Sequence, residues 1–277
     1  MRALSPGQAL HLLRSQAPLV HVITNTLSQN DCANLLLAAG ARPIMAEAEE
    51  EVQEVARGCA ALVLNTGIPS EAKFRAMRLA GEAANQAGIP VVLDPVGIGA
   101  SAFRRQRIGR LLSQLRFHII RGNSAEIAVL AGQPRGFSGV DDAAGGSTAE
   151  KRWLAHQVAA RYGATVLQSG VQDVIVRAAR ECVVSGGHPA IARVTGAGCM
   201  LSALAGAFLA VVPEDPMVAA LAAAQFWKCC AAWAADRMQQ RGEGTGSLRA
   251  YLIDAASLLT PQALEESAAA CAFSPVS

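Results

Sequence analysis

The chain has few aromatic residues, no excess of charge of one sign and no paired cysteines, and each shortage narrows what it can be. Phe, Trp and Tyr make up 4% of its 277 residues. The core must therefore come from Ala, Val and Leu, a mixture that suits Ala-rich helices packed on a buried parallel sheet. The formal net charge is +2, and no long run carries one sign. Nothing resembles the footprint of a nucleic-acid-binding protein. Arg104, Arg105, Arg107 and Arg110 form the densest basic group. They straddle a predicted helix start and read as a solvated face. The seven cysteines are an odd number with no CxxC pair and no metal-ligand spacing. That excludes a disulfide framework and fits a reducing cytoplasm. Cys32, Cys59, Cys182 and Cys271 read as small apolar residues, and no vicinal disulfide is expected at Cys229 and Cys230. A GxxxxGK[ST] loop is missing, so the P-loop class is unsupported. Leu201 to Val212 is too short to span a bilayer, and the apolar segment after Pro216 is broken by Gln225 and Lys228. Neither is predicted to cross a membrane. The first eighteen residues read as a short amphipathic helix rather than a signal peptide.

What is present is a substantial apolar fraction, 52%, enough to build a large core without crosslinks. Short β-branched runs alternate with Ala-rich helical stretches. Strands are predicted at Val20–Thr24, Pro43–Met45, Ala61–Asn65, Val91–Asp94, Phe117–Arg121 and Ala164–Gln168. Helices are predicted at Asp31–Ala39, Glu47–Gly58, Glu71–Gln86 (capped by Ser70), Ser124–Leu130 and, as a long apolar helix, directly after the Gly-rich loop Thr195–Gly198. A further helix is predicted from Pro216 to Met238. This alternation implies a three-layer α/β/α fold with a mostly parallel sheet and helices on both faces. Val174–Val176 and Cys182–Val184 read as an antiparallel hairpin at the sheet edge. The Gly136–Ser147 stretch reads as a mobile loop inside one domain spanning residues 1–277, with a disordered tail from about Ser274.

In an open parallel sheet, ligands bind beyond the carboxyl ends of the strands. The polar residues at those ends are Asn25, Asn65 with Gly67, Asp94, Arg121 with Asn123, and Ser169 with Gly170. They come from distant parts of the chain yet would share one edge. The sharpest motif is VTGAGCMLSALAGAF, Val194 to Phe208. Gly196 and Gly198 let the backbone approach a ligand, and the helix that follows aims unpaired N–H groups and its positive dipole end at the same place. That arrangement suits a transferring phosphoryl group; the alternative is a plain helix-entry turn. Cys199 stands at the helix N-terminus, where a thiolate is favoured and its pKa is expected to fall, so it could accept a proton from an attacking alcohol. The alternative is a small buried helix residue. Asp94, Asn123 and Glu126 offer oxygens for a hydrated Mg²⁺, while Asn123 with Glu126 also matches a capping box. Arg121 could reach phosphates. His21, in a strand, reads as a satisfied core histidine. His188, before Pro189, reads as surface or pocket lining. GIGAS, Gly97–Ser101, lacks the third glycine of a dinucleotide fingerprint.

Taken together, VHVITNTLSQNDCANLLLAAGARPIMAEAEEEV, ALVLNTG, GIPVVLDPVGIGAS, IIRGNSAEIAVLAG, GVDD and RVTGAGCMLSALAGAF resemble the hydroxyethylthiazole kinases of thiamine salvage, within the ribokinase-like superfamily. The resemblance runs from about Pro18 to Thr260. It implies transfer of a phosphoryl group from ATP, with Mg²⁺, to the primary alcohol of hydroxyethylthiazole. It places Cys199 where many ribokinase-like enzymes carry an Asp base. By the same resemblance Met45 and Gly196 contact the thiazole, and Asn25 and Gly67 line its pocket. Arg121, Ser169, Gly198 and Asn123 serve ATP, and Asp94 and Glu126 organise the metal. It also implies a cytoplasmic homotrimer with sites between subunits, and no nucleic-acid or membrane partner. One departure is Val171, where such proteins often carry Glu, followed by Gln172 and Asp173. The competing expectations are a ribokinase-like kinase for another small alcohol, such as a pyrimidine precursor, and a catalytically silent binding protein on the same fold.

Overall fold

A computed structural model describes residues 4–133, 147–268 and 273–275. The expected mobile loop from Gly136, the GVDD motif and Cys271 lie outside those residues, apart from Ser147.

Among the described residues nine strands form one sheet in the order β2-β1-β3-β4-β5-β6-β7-β8-β9. They are β1 (Leu19–Ile23), β2 (Arg42–Ile44), β3 (Ala61–Asn65), β4 (Val91–Asp94), β5 (Ile119–Asn123), β6 (Thr165–Ser169), β7 (Asp173–Arg177), β8 (Arg180–Val184) and β9 (Phe273–Pro275). Neighbours from β2 to β6 pair in parallel, and β7, β8 and β9 add antiparallel. The central parallel strands β3, β4, β5 and β6 are mostly apolar up to their polar carboxyl ends, because both faces are covered. In β3, Ala61 and Val63 join one core while Leu62 and Leu64 join the other, the period-two alternation of a pleated strand.

The first core packs against α1 (Pro6–Gln16), α2 (Gln29–Ala39), α8 (Ala197–Val211), α9 (Pro216–Gln240), α10 (Thr245–Leu258) and α11 (Pro261–Ala268). The second packs against α3 (Val52–Arg57), α4 (Glu71–Gln86), α5 (Ala102–Gln114), α6 (Ser124–Leu130) and α7 (Thr148–Tyr162). Start and stop signals explain most boundaries. Ser5 and Gln8 form a capping box on α1, Ser70 and Ser101 cap α4 and α5, and Gly40 closes α2 with φ 108°. Helix α8 lies close to the sheet at Gly206, where a Cβ would sit 2.3 Å from Val63 Cγ2.

Four expectations are corrected. The helix expected over Glu47–Gly58 is confined to α3, and Glu47 to Glu51 precede it; that acidic stretch offers no apolar face to bury, and Val52 begins the buried positions. The tail expected to be disordered from about Ser274 contributes β9, which pairs Phe273 with Cys182, so the hairpin is one strand in from the edge. The arginine cluster lies within α5, and Arg104 is not a solvated residue: its Nη1 donates to the carbonyls of Thr66 (3.1 Å) and Val96 (2.8 Å). Finally, α9 is long and apolar enough to cross a membrane, with a mean hydropathy of 1.3, despite Gln225 and Lys228. It is nevertheless a core helix, with 78% of that window buried in the fold.

Candidate active site

The sheet order puts the tips of β1, β3, β4, β5 and β6 side by side, and their polar side chains join in an unbroken chain of contacts. Asn25 Nδ2 donates to Asn65 Oδ1 (3.3 Å), and Asn65 Nδ2 donates to Asp94 Oδ2 (2.7 Å). Arg121 Nη1 lies 3.7 Å from that same carboxylate oxygen, and Arg121 Nη2 donates to Ser169 Oγ at 2.5 Å. The five expected tips therefore meet on one edge. Gly67 belongs to the same cluster. Its N–H donates to Asn65 Oδ1 (3.0 Å), and a Cβ there would lie 2.8 Å from Asn25 Nδ2.

Helix α8 arrives on this row with its N-terminus. Gly196 is its N-cap, with φ 81°, and no side chain caps the helix. By contrast α4, α5, α6, α7 and α9 all start on a side-chain cap. The Ala197 N–H donates to the Val194 carbonyl (3.2 Å), while the N–H groups of Gly198 and Cys199 point at the site without a side-chain cap and are placed to receive an anion. Glycine is required at position 196, and at 198 it leaves room for the Arg121 guanidinium. A Cβ on Gly196 would sit 2.6 Å from Ser28 Cβ in an already left-handed backbone, and one on Gly198 would sit 2.5 Å from Arg121 Nη1. Cys199 Sγ receives Asn25 Nδ2 at 3.2 Å, which ties the helix start to the first strand tip.

The expected drop in the pKa of Cys199 does not occur. Burial pushes the thiol above its ordinary value, and the charge of Asp94 adds to the rise. Polar neighbours Ser28, Asn25 and Asn65 oppose the rise without cancelling it. Desolvation wins because the residue sits inside the site rather than on the open helix end.

Asp94 is fully buried, and burial raises its pKa against the pull of Arg121, Ser202 and Asn65. Its Oδ2 accepts from Ser202 Oγ (2.6 Å) as well as from Asn65, while its Oδ1 is a buried oxygen with no hydrogen-bond partner. Glu126 is pushed up to about 7, first by burial and then by the Asp94 charge. Both its oxygens are occupied, Oε1 by the Gly97 N–H (2.8 Å) and Oε2 by the Asn123 N–H (2.9 Å). Asn123 Oδ1 accepts the Glu126 N–H, so the expected capping box is present. Among the described residues no three His, Cys, Asp or Glu side chains gather as a metal cage. A free Asp94 oxygen without such a cage fits a Mg²⁺ completed by water and phosphate oxygens.

Met45 follows β2 and packs against the first core, and no hydrogen bond or ion pair joins it to the Cys199 cluster. His21 is buried, with Nε2 2.8 Å from the Ala46 carbonyl oxygen, and His188 caps a 3₁₀ turn at Pro189–Arg193. Sequence reasoning missed Ser202 and Ser28. Ser202 had a readable signal, because it lies three residues after Cys199 on the same helix face. Ser28 had none, since its contact with Gly196 is set only by the fold. Cys229 and Cys230 are not joined in a disulfide, and Cys229 Sγ lies 3.0 Å from Ser267 Oγ.

This α/β/α sandwich is a ribokinase-like fold, with a carboxylate and a guanidinium along its strand-end row and an uncapped Gly-rich helix start beside them. A ribokinase-like superfamily protein from Enterococcus faecalis shares this fold, with TM-score 0.58 at 14% identity over 93% of this chain and 97% of its own. The model of the hydroxyethylthiazole kinase family matches residues 10–262, and the chain belongs to that family. A hydroxyethylthiazole kinase from Methanoculleus marisnigri is 42% identical over 94% of this chain and 90% of its own length. The structure of a hydroxyethylthiazole kinase protein from Pyrococcus horikoshii superposes with TM-score 0.84, at 34% identity, over 98% of this chain and 99% of that one.

Proposed function

We propose that this protein transfers a phosphoryl group from ATP to the hydroxyl of hydroxyethylthiazole, the reaction of thiamine salvage. The observation that carries the reading is the meeting of Cys199, Asn25, Asp94 and Arg121 at the uncapped start of α8. In this reading Asn25, Gly67, Gly196 and Met45 bound the thiazole. Arg121, Ser169, Gly198 and Asn123 serve the nucleotide. Cys199 Sγ takes the hydroxyl proton as the oxygen attacks the γ-phosphorus. The N–H groups of the α8 first turn hold the charge on the phosphoryl oxygens. A thiol whose pKa is raised gives up its proton reluctantly, so the thiolate is a minor form at neutral pH, and it collects the proton late in a loose transition state. Asp94 would hold Mg²⁺ through Oδ1, with Glu126 acting through water because its oxygens are already engaged. The ion would supply charge neutralisation between the phosphates.

Leu27 and Ile68, 68% and 46% exposed, are large apolar residues on the loops beside Asn25 and Gly67. A homotrimer with sites between subunits would cover them, and a solution mass three times 28.7 kDa is the companion observation. The direct test is ADP formation with a panel of small alcohols. The account predicts ADP release dependent on hydroxyethylthiazole. Release that follows a pyrimidine alcohol instead would move the substrate elsewhere, and no alcohol-dependent release would remove the kinase reading.

A further inference from the structure

Helix α9 is rich in Ala and other apolar residues over its buried length, yet it buries a lysine. Lys228 is 9% exposed. A buried ammonium is costly unless every proton finds an acceptor. Here three acceptors surround it: the carbonyls of Gly170 (2.8 Å) and Val171 (2.9 Å), and Asp173 Oδ1 (3.2 Å). The same Asp173 oxygen accepts the Gly170 N–H at 2.9 Å. All these groups belong to the three residues between β6 and β7, Gly170 to Gln172, or to Asp173, the first residue of β7. Room for the lysine stem is made by Gly187, where a Cβ would lie 2.9 Å from Lys228 Cδ.

The turn itself does not need this tie for solvation. Val171 is 87% exposed, and water could satisfy a carbonyl at such a position. The chain instead places a buried cation there, which fixes the turn in one position relative to the core. The residue just before the turn is Ser169, whose hydroxyl receives Arg121 Nη2 at 2.5 Å, and Arg121 faces Asp94 and Gly198. We propose that Lys228, together with Asp173, is a positioning residue. It clamps the Gly170–Asp173 turn so that Ser169 and Arg121 are held ready for the triphosphate of the nucleotide. This rests on the reading that Ser169 and Arg121 serve ATP. It also gives the turn an internal support where Val171 and Gln172 offer no acidic side chain.

The test uses the full chain with Lys228→Met, Asp173→Asn and the double variant. Lys228→Met alone leaves a buried carboxylate unpaired and is expected to lower thermal stability. The double variant removes both charges while keeping the shapes, and it should unfold cooperatively near the wild-type temperature. Nucleotide affinity is measured by calorimetric titration with a non-hydrolysable ATP analogue and Mg²⁺. KM values for ATP and for the thiazole alcohol are measured alongside. Loss of the clamp should weaken the analogue about tenfold in the folded double variant, the size of one lost charge-assisted hydrogen bond. The KM for ATP should rise with it while the KM for the alcohol stays unchanged. A merely structural role would shift melting and leave that split absent. Equal analogue affinity in wild type and the folded double variant would overturn the clamp. If wild type shows no thiazole-dependent turnover but the affinity difference persists, the substrate reading fails and the clamp stands.

Discussion

Ile68 holds a left-handed backbone, φ 46°, immediately before Pro69 and beside Gly67. A β-branched residue in that region carries strain of order 1–3 kcal/mol, and such strain persists where the surroundings impose it. Gly67 explains the imposition, because its backbone is wedged against Asn25 and Asn65. Replacing Ile68 by Gly relieves the strain and is expected to raise stability by about 1 kcal/mol, net of the greater freedom of the unfolded chain. A urea titration that shows lower stability for Ile68→Gly would contradict this. At the same scale, the residues that sequence reasoning identified were those whose chemistry is written locally. Asp94 ends β4, Cys199 lies in the first turn of α8, and Arg121 stands two residues before the end of β5, all close to where their local runs place them. The ionisation of Cys199 was not legible, because it depends on burial and on Asp94, a residue 105 positions earlier (199 minus 94) that only the fold brings near.

Among the elements, strands read most clearly. The β3 and β4 boundaries match the apolar runs Ala61–Asn65 and Val91–Asp94, since a strand buried on both faces needs little beyond such a run. Helix α3 was overextended because acidic residues suit a helix N-terminus equally well whether they lie inside it or in the turn before it. Strand β9 was missed because three residues carry no periodicity. Helix α8 has the narrowest tolerance. Its Gly206 faces Val63 so closely that Gly206→Ala must displace the helix or the sheet. This substitution is expected to cost about 1–3 kcal/mol, read as a lower urea midpoint, although alanine is the better helix former. An unchanged midpoint would show that α8 can move away freely, and then its N-terminus would not be rigidly aimed at the site.

For the whole molecule, the decisive fact is the strand order. Placing β1, β3, β4, β5 and β6 side by side turns five separated sequence positions into one row, and α8 crosses to that row from the far end of the chain. The parallel class was legible from alternation, and the resemblance named the family. The contacts that complete the row, Ser202 to Asp94 and Lys228 to the β6–β7 turn, join residues 108 and 57–58 positions apart. No local pattern encodes the Lys228 contact, and for Ser202 only its place on the Cys199 face of α8 is legible.

The account stands or falls on Cys199 as the group that receives the alcohol's proton, and the pH dependence of kcat in three proteins tests it most directly. Wild type should show kcat rising with pH through neutrality, because the raised thiol pKa keeps the thiolate scarce until alkaline pH. Cys199→Ser should lose about 100-fold or more in kcat with the KM for the thiazole alcohol unchanged. Cys199→Asp should remain active with its rise displaced to lower pH, since a carboxylate ionises below a thiol even where burial and Asp94 raise both. Wild-type kcat in Cys199→Ser, with the same pH profile, would contradict the account.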